Sequence, residues 1–246
     1  KTDLRLFDNR AGPDLSTAGS RLNENWIYHW LENPRSFRAT ALMPALLRSA
    51  EDRADVSAYL ASLVSAKPLP QVAPTLPATD AGERLFQNLG CPGCHAEPIA
   101  QLGGLGSKMN PSQLVQYLRF PLVPDPSGRM PDFSLSQAEA VQLASYLAQT
   151  RNASFESSAP KGDAARGKRL VASVGCLNCH TSKAGNDLVS STLRAPPLNV
   201  LRVTYGCLTE HPAQGLPRYE FAAEDREARA AFLQSQDATE APVQDT

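Results

Sequence analysis

Apolar residues recur at helical spacing along the chain in three stretches of matching design. Between residues 129 and 150, Val141, Leu143, Ala144, Tyr146 and Leu147 line one face of a predicted helix, which opens on a Ser136-x-x-Glu139 capping box. Residues 41–63 repeat the arrangement: Ser49 and Asp52 start the helix, and Val56, Tyr59, Leu60 and Leu63 form its stripe. Residues 216–235 repeat it more weakly. The interval from Met43 to Tyr59 equals that from Met130 to Tyr146 and from Leu216 to Phe232, which predicts three units, at 1–66, 79–150 and 161–246. Between them, residues 67–78 carry four prolines and residues 151–160 are polar, so both read as linkers. Two more amphipathic helices are predicted over 83–95 and 167–180, and another over the segment carrying His29, which reads as a packed or surface histidine.

Composition sharpens this picture and narrows the partners. Twenty prolines and 7% aromatics among 246 residues suit small helical units on stiff connectors better than a large sheet. A net charge of -1 offers nothing to nucleic acid or an anionic membrane surface. There is no run of eighteen apolar residues to span a bilayer, and no apolar leader at Lys1, so the chain reads as a mature or trimmed one.

The cysteines carry the chemistry. Four of the five lie in two Cys-x-x-Cys-His pentapeptides, Cys91-Pro92-Gly93-Cys94-His95 and Cys176-Leu177-Asn178-Cys179-His180; Cys207 stands apart. Two thiols three positions apart at a helix end can each add to one vinyl group of a porphyrin, and the next residue then presents its imidazole to the iron. Covalent attachment keeps the cofactor on a domain too small to bury it by packing alone. A thioredoxin-type dithiol needs a βαβ context that these helical segments lack, and a four-cysteine zinc site would leave both histidines unexplained. The reading is two covalently attached haems c.

The order of short helix, Cys-x-x-Cys-His, loop, Met-Pro and closing helix resembles the class I cytochrome c family, fully over residues 79–150. That resemblance implies an all-α fold of tandem small helical domains around covalently bound haems, in a periplasmic or otherwise extracytoplasmic location. It also implies a histidine and a methionine sulfur as axial ligands: His95 and Met130 in the middle unit, with Met109 as the competing methionine. In the last unit His180 is followed by no methionine, since Leu216 occupies the corresponding slot; His211, an open position and Cys207 stay as candidates for the sixth site. In the first unit Gly12-Pro13-Asp14-Leu15, Gly19-Ser20-Arg21 and Met43-Pro44 resemble the segments that follow a haem motif, yet residues 1–66 contain none. Three explanations stay open: the motif lies upstream of Lys1, another fragment supplies it, or the unit has lost its haem. Met43 is accordingly a candidate ligand of a third haem.

The expected function is electron transfer, with the haems acting as a relay in a respiratory or photosynthetic chain. Redox proteins or other subunits of an electron-transfer complex would be the partners. The alternative is a peroxidase-like dihaem oxidoreductase in which the last haem keeps an open site.

Overall fold

The computed structural model describes residues 12–38, 41–67, 69–70, 72, 80–95, 102–123, 130–194, 196–197, 200–206, 208–211, 219 and 221–236. Among these are nine α-helices: α1 (Glu24–Glu32), α2 (Pro34–Phe37), α3 (Ala50–Ser62), α4 (Asp80–Asn88), α5 (Leu105–Lys108), α6 (Pro111–Arg119), α7 (Gln137–Leu147), α8 (Ala164–Ser173) and α9 (Ala223–Gln236). The chain is mostly helical, as expected, with one addition: a two-stranded antiparallel hairpin of β1 (Lys183–Ala184) and β2 (Asp187–Leu188) just beyond His180.

Polar caps fix where the helices begin. The Ser136 hydroxyl accepts the Glu139 amide while the Glu139 carboxylate takes the Ser136 amide at 2.9 Å, the reciprocal box read from the sequence. Ser49 caps α3 by accepting the Asp52 amide at 3.2 Å. A second reciprocal box, Asn110 with Gln113, opens α6 ahead of Pro111, whose missing N–H costs nothing at that position.

The stripes predicted for α3 and α7 are largely buried, and among the described residues they lie in two cores. One core joins Leu114, Val115 and Leu118 of α6 to Leu135, Ala140, Leu143, Ala144 and Leu147, with Met109 buried inside it. The other draws Trp26, Ile27, Leu31, Val56, Tyr59, Leu60 and Leu63 together with Phe155, Val171, Cys176 and Leu177. The expected first unit over 1–66 and last unit over 161–246 share this core, the apolar face of α8 packing on α3. None of the described residues of α9 is buried. Residues 151–160 are anchored to this core through Phe155. Phe155 is buried and lies 4.1 Å, centroid to centroid, from Phe37, while His29 Nε2 donates to the Ser157 carbonyl at 2.9 Å.

The two cores have one geometry. In the middle unit α4 crosses α7 with Gly82 set against the Gln142 carbonyl and Tyr146; in the other α8 crosses α3 with Gly167 against the Asp55 carbonyl and Tyr59. A Cβ at either glycine would overlap backbone of the facing helix, so the close approach requires the missing side chain. The Gly106 amide donates to the Thr150 carbonyl and the Gly19 amide to the Leu63 carbonyl, both at 2.9 Å. The α3–α8 crossing adds an ionic clamp. Arg166 pairs with Asp52 and with the buried carboxylate of Asp55, which also accepts the Asp163 amide at 2.6 Å. That amide and the guanidinium hold the Asp55 carboxyl below the usual carboxylate range.

Candidate haem-attachment sites

Each Cys-x-x-Cys-His segment is delivered by the same local device. A helix ends, one glycine takes the left-handed conformation, and a single 3-10 turn carries the cysteines: Gly90 (φ 73°) precedes Cys91–Gly93 and Gly175 (φ 105°) precedes Cys176–Asn178. Only glycine adopts these angles without strain, and the sharp reversal folds the pentapeptide back toward its own helix. The histidine amides then close on the first cysteine of each motif, His95 N to Cys91 O at 2.9 Å and His180 N to Cys176 O at 3.0 Å. Imidazole and both thiols are thereby gathered around one turn.

The environments of Cys91 and Cys176 differ from that of a reactive dithiol. All four are free rather than disulfide-bonded. Burial pushes the Cys176 thiol up to about 11 and raises that of Cys91, opposite to the depressed values of a reactive dithiol. Among the described residues no three His, Cys, Asp or Glu side chains converge on a metal-sized point, so the two pairs do not form a joint four-cysteine site.

His180 is the more constrained histidine. It is 9% exposed, and its Nδ1 donates to the Pro13 carbonyl at 2.8 Å, since a carbonyl can only accept. This fixes the tautomer, with the proton on Nδ1 and the lone pair on Nε2. Burial, opposed by that hydrogen bond and assisted by the nearby Arg21 charge, lowers the basicity of the ring. Backbone bonds hold the surrounding chain: Gly12 N donates to Cys179 O at 2.9 Å and Leu15 N to Thr181 O at 2.8 Å. A side chain at Gly12 would overlap the imidazole.

The surroundings fit a flat apolar group with acidic substituents. Leu85, Phe86, Leu89, Leu102, Leu105, Met130 and Phe133 lie half-buried against the middle core, and Leu15, Leu22, Trp30, Phe37, Met43 and Leu46 do the same at the other. The described residues leave these faces incompletely covered. Arg21, beside His180, has a buried Nε with no hydrogen-bond partner among the described residues, while its Nη2 donates to the Asp14 carbonyl; such a cation suits a carboxylate. The remaining candidates separate clearly. Met109 is fully inside its core, at 6% exposure, whereas Met130 and Met43 are half-buried. His211 is exposed; Cys207 and Leu216 lie outside the described residues.

A family model described as cytochrome c oxidase, cbb3-type, subunit III, matches residues 77–147, less than half of the chain. The chain carries a c-type cytochrome domain. Covalently bound haem c and a role in electron transfer are what such a domain implies, and the matched region runs from ahead of α4 to the end of α7, enclosing Cys91, Cys94, His95 and Met130. No curated protein and no solved structure matches the chain. No described helix is long and apolar enough to cross a membrane.

Proposed function

We propose that this protein is a dihaem electron carrier, with one haem c on Cys91, Cys94 and His95 and a second on Cys176, Cys179 and His180. The single observation that carries this reading is the repetition, at both motifs, of left-handed glycine, 3-10 turn and histidine-to-cysteine amide bond. Only the first motif lies inside the matched domain; the second shares its geometry down to the crossing glycine.

Bound at these positions, the haems would supply one-electron ferric/ferrous couples whose potentials follow their axial ligands. The protein's own groups do the rest. The cysteines would hold the macrocycle through thioether bonds, the histidine would present Nε2, and the half-buried apolar residues would keep water from the metal. Met130 is the residue that would supply a thioether ligand in the middle unit: it sits half-buried at the rim of its core, while Met109 is packed away. A soft thioether favours the ferrous state and raises the potential.

The two units face each other in a way that supports a relay. Asn23 donates its backbone amide to Lys108 O at 2.9 Å and its side chain to Ser107 O at 3.1 Å, while Gln113 Nε2 reaches back to Gly19 O at 2.9 Å. Lys108 also lies over the Trp26 ring, 5.0 Å from its centroid. Reciprocal contacts of this kind hold the two sites at a fixed separation. An extracytoplasmic location and docking to redox proteins or complex subunits accompany this reading.

Replacing both cysteines of one motif tests it. Cys91→Ser/Cys94→Ser and Cys176→Ser/Cys179→Ser should each leave one covalent haem per chain, read by intact-protein mass and haem-stained gels. Retention of two covalent haems in either variant would contradict the assignment.

A further inference from the structure

We infer that the haem held at 176–180 takes its sixth ligand from Met43, so that this haem unit is assembled from two distant parts of the chain: the motif-bearing helix from residues 164–180 and the rest of the pocket from residues 12–63. The inference rests on the dihaem reading above and goes beyond it. It replaces both a third haem for Met43 and His211 as ligand.

The middle unit supplies the template. There the helix that carries the motif, α4, is crossed by α7, and α7 directly follows the Met130-Pro131 segment. The helix crossing α8 in the same manner is α3, and α3 directly follows Met43-Pro44. Corresponding residues keep one constant interval along the two stretches: Gly19 and Gly106, Asn23 and Asn110, Met43 and Met130, Ser49 and Ser136, Tyr59 and Tyr146, Ala61 and Ala148. The motif helices keep one too, through Gly82 and Gly167, Cys91 and Cys176, His95 and His180. Only the order along the chain differs: the motif comes first in one unit and last in the other.

Three further observations tie the parts together. The carbonyl that fixes His180 belongs to Pro13, at the start of the early segment. The ionic clamp is specific to this crossing, since Ala81 and Gln142 occupy the places of Arg166 and Asp55 in the middle unit. The helix that follows His180 in sequence, α9, carries Ala228 where α3 carries Asp55, buries none of its described residues, and has Leu216 upstream in place of a methionine. Charge and shape therefore match α8 to α3 rather than to α9.

Met43 is already held as a ligand needs to be. It lies half-buried against the second core, and the Trp30 indole donates to its sulfur at 3.2 Å. One lone pair of the thioether accepts that hydrogen bond and the other stays available for a metal. Fixing the side chain in advance reduces the ordering cost of ligation.

The test uses the full chain with its haems attached, and compares it with Met43→Leu, Met43→His and His211→Ala. Leucine conserves volume and removes only the sulfur; histidine offers a replacement ligand if the leucine variant fails to fold. Expected are no carbon monoxide uptake by the ferrous unaltered chain, one per chain in Met43→Leu, none in Met43→His with a lowered potential, and no change in His211→Ala. The ferric thioether-to-iron charge-transfer band should fall by half in Met43→Leu. Two haems per chain, with no carbon monoxide uptake and an unchanged band in Met43→Leu, would overturn the inference and leave the dihaem reading standing. Uptake by the unaltered chain would overturn it as well. Fewer than two covalent haems in the unaltered chain would instead overturn the dihaem reading.

Discussion

Replacing Met130 with alanine is expected to lower the potential of the haem on His95 by on the order of a tenth of a volt or more, and to open that haem to carbon monoxide. A thioether stabilises ferrous iron; without it the sixth position goes to water or a harder ligand, and the ferric state gains. The half-buried place of Met130 is what favours this residue. Met109→Leu is the control. Met109 is buried among Leu114, Val115 and Leu143, so a volume-conserving change there should cost under about 1.5 kcal/mol and leave the spectrum as it was. A potential that moves with Met109 and not with Met130, read by spectroelectrochemical titration, would reverse the ligand assignment.

The second large effect is mechanical. Gly167→Val should destabilise the unit built on α3 and α8 by about 3 kcal/mol, at the upper end of the usual cost of overpacking, and lower the melting temperature by roughly 6–12 °C. The reason is local: a side chain at 167 meets the Asp55 carbonyl and the Tyr59 Cβ, so the helices must part. Parting them also separates Arg166 from Asp52 and Asp55 and loosens the Pro13–His180 contact. Gly103→Ala, in open space, should shift the melt by far less. Thermal unfolding followed by far-ultraviolet circular dichroism reads the difference, and equal shifts in the two variants would contradict the described crossing.

Much of the site was legible in the sequence because its chemistry is local. Cysteine spacing, the Ser136–Glu139 box and the stripes on α3 and α7 all depend on residues a few positions apart, and each stands where the pattern places it. Partnership between segments was another matter. A constant interval from methionine to aromatic reveals repeated units but not which motif helix each closing helix covers. Gly12-Pro13 and Met43-Pro44 were readable as the latter half of a haem unit; the inferred pairing with the downstream motif rests on helix crossing, which has no local signature. Two signals pointed there: Asp52 and Asp55, acidic on a helix face otherwise apolar, with the complementary Arg166 on α8, and the absence of a second Gly-Pro-Asp after His180. The polar composition of 151–160 concealed Phe155, because one aromatic residue is enough to anchor a segment.

The central claim is that this chain stores electrons on two covalently held haems. Coulometric titration of the purified full chain tests it most directly: two one-electron steps per polypeptide, accompanied by low-spin ferrous haem spectra, are predicted. Uptake of a single electron per chain, or none, would contradict the account.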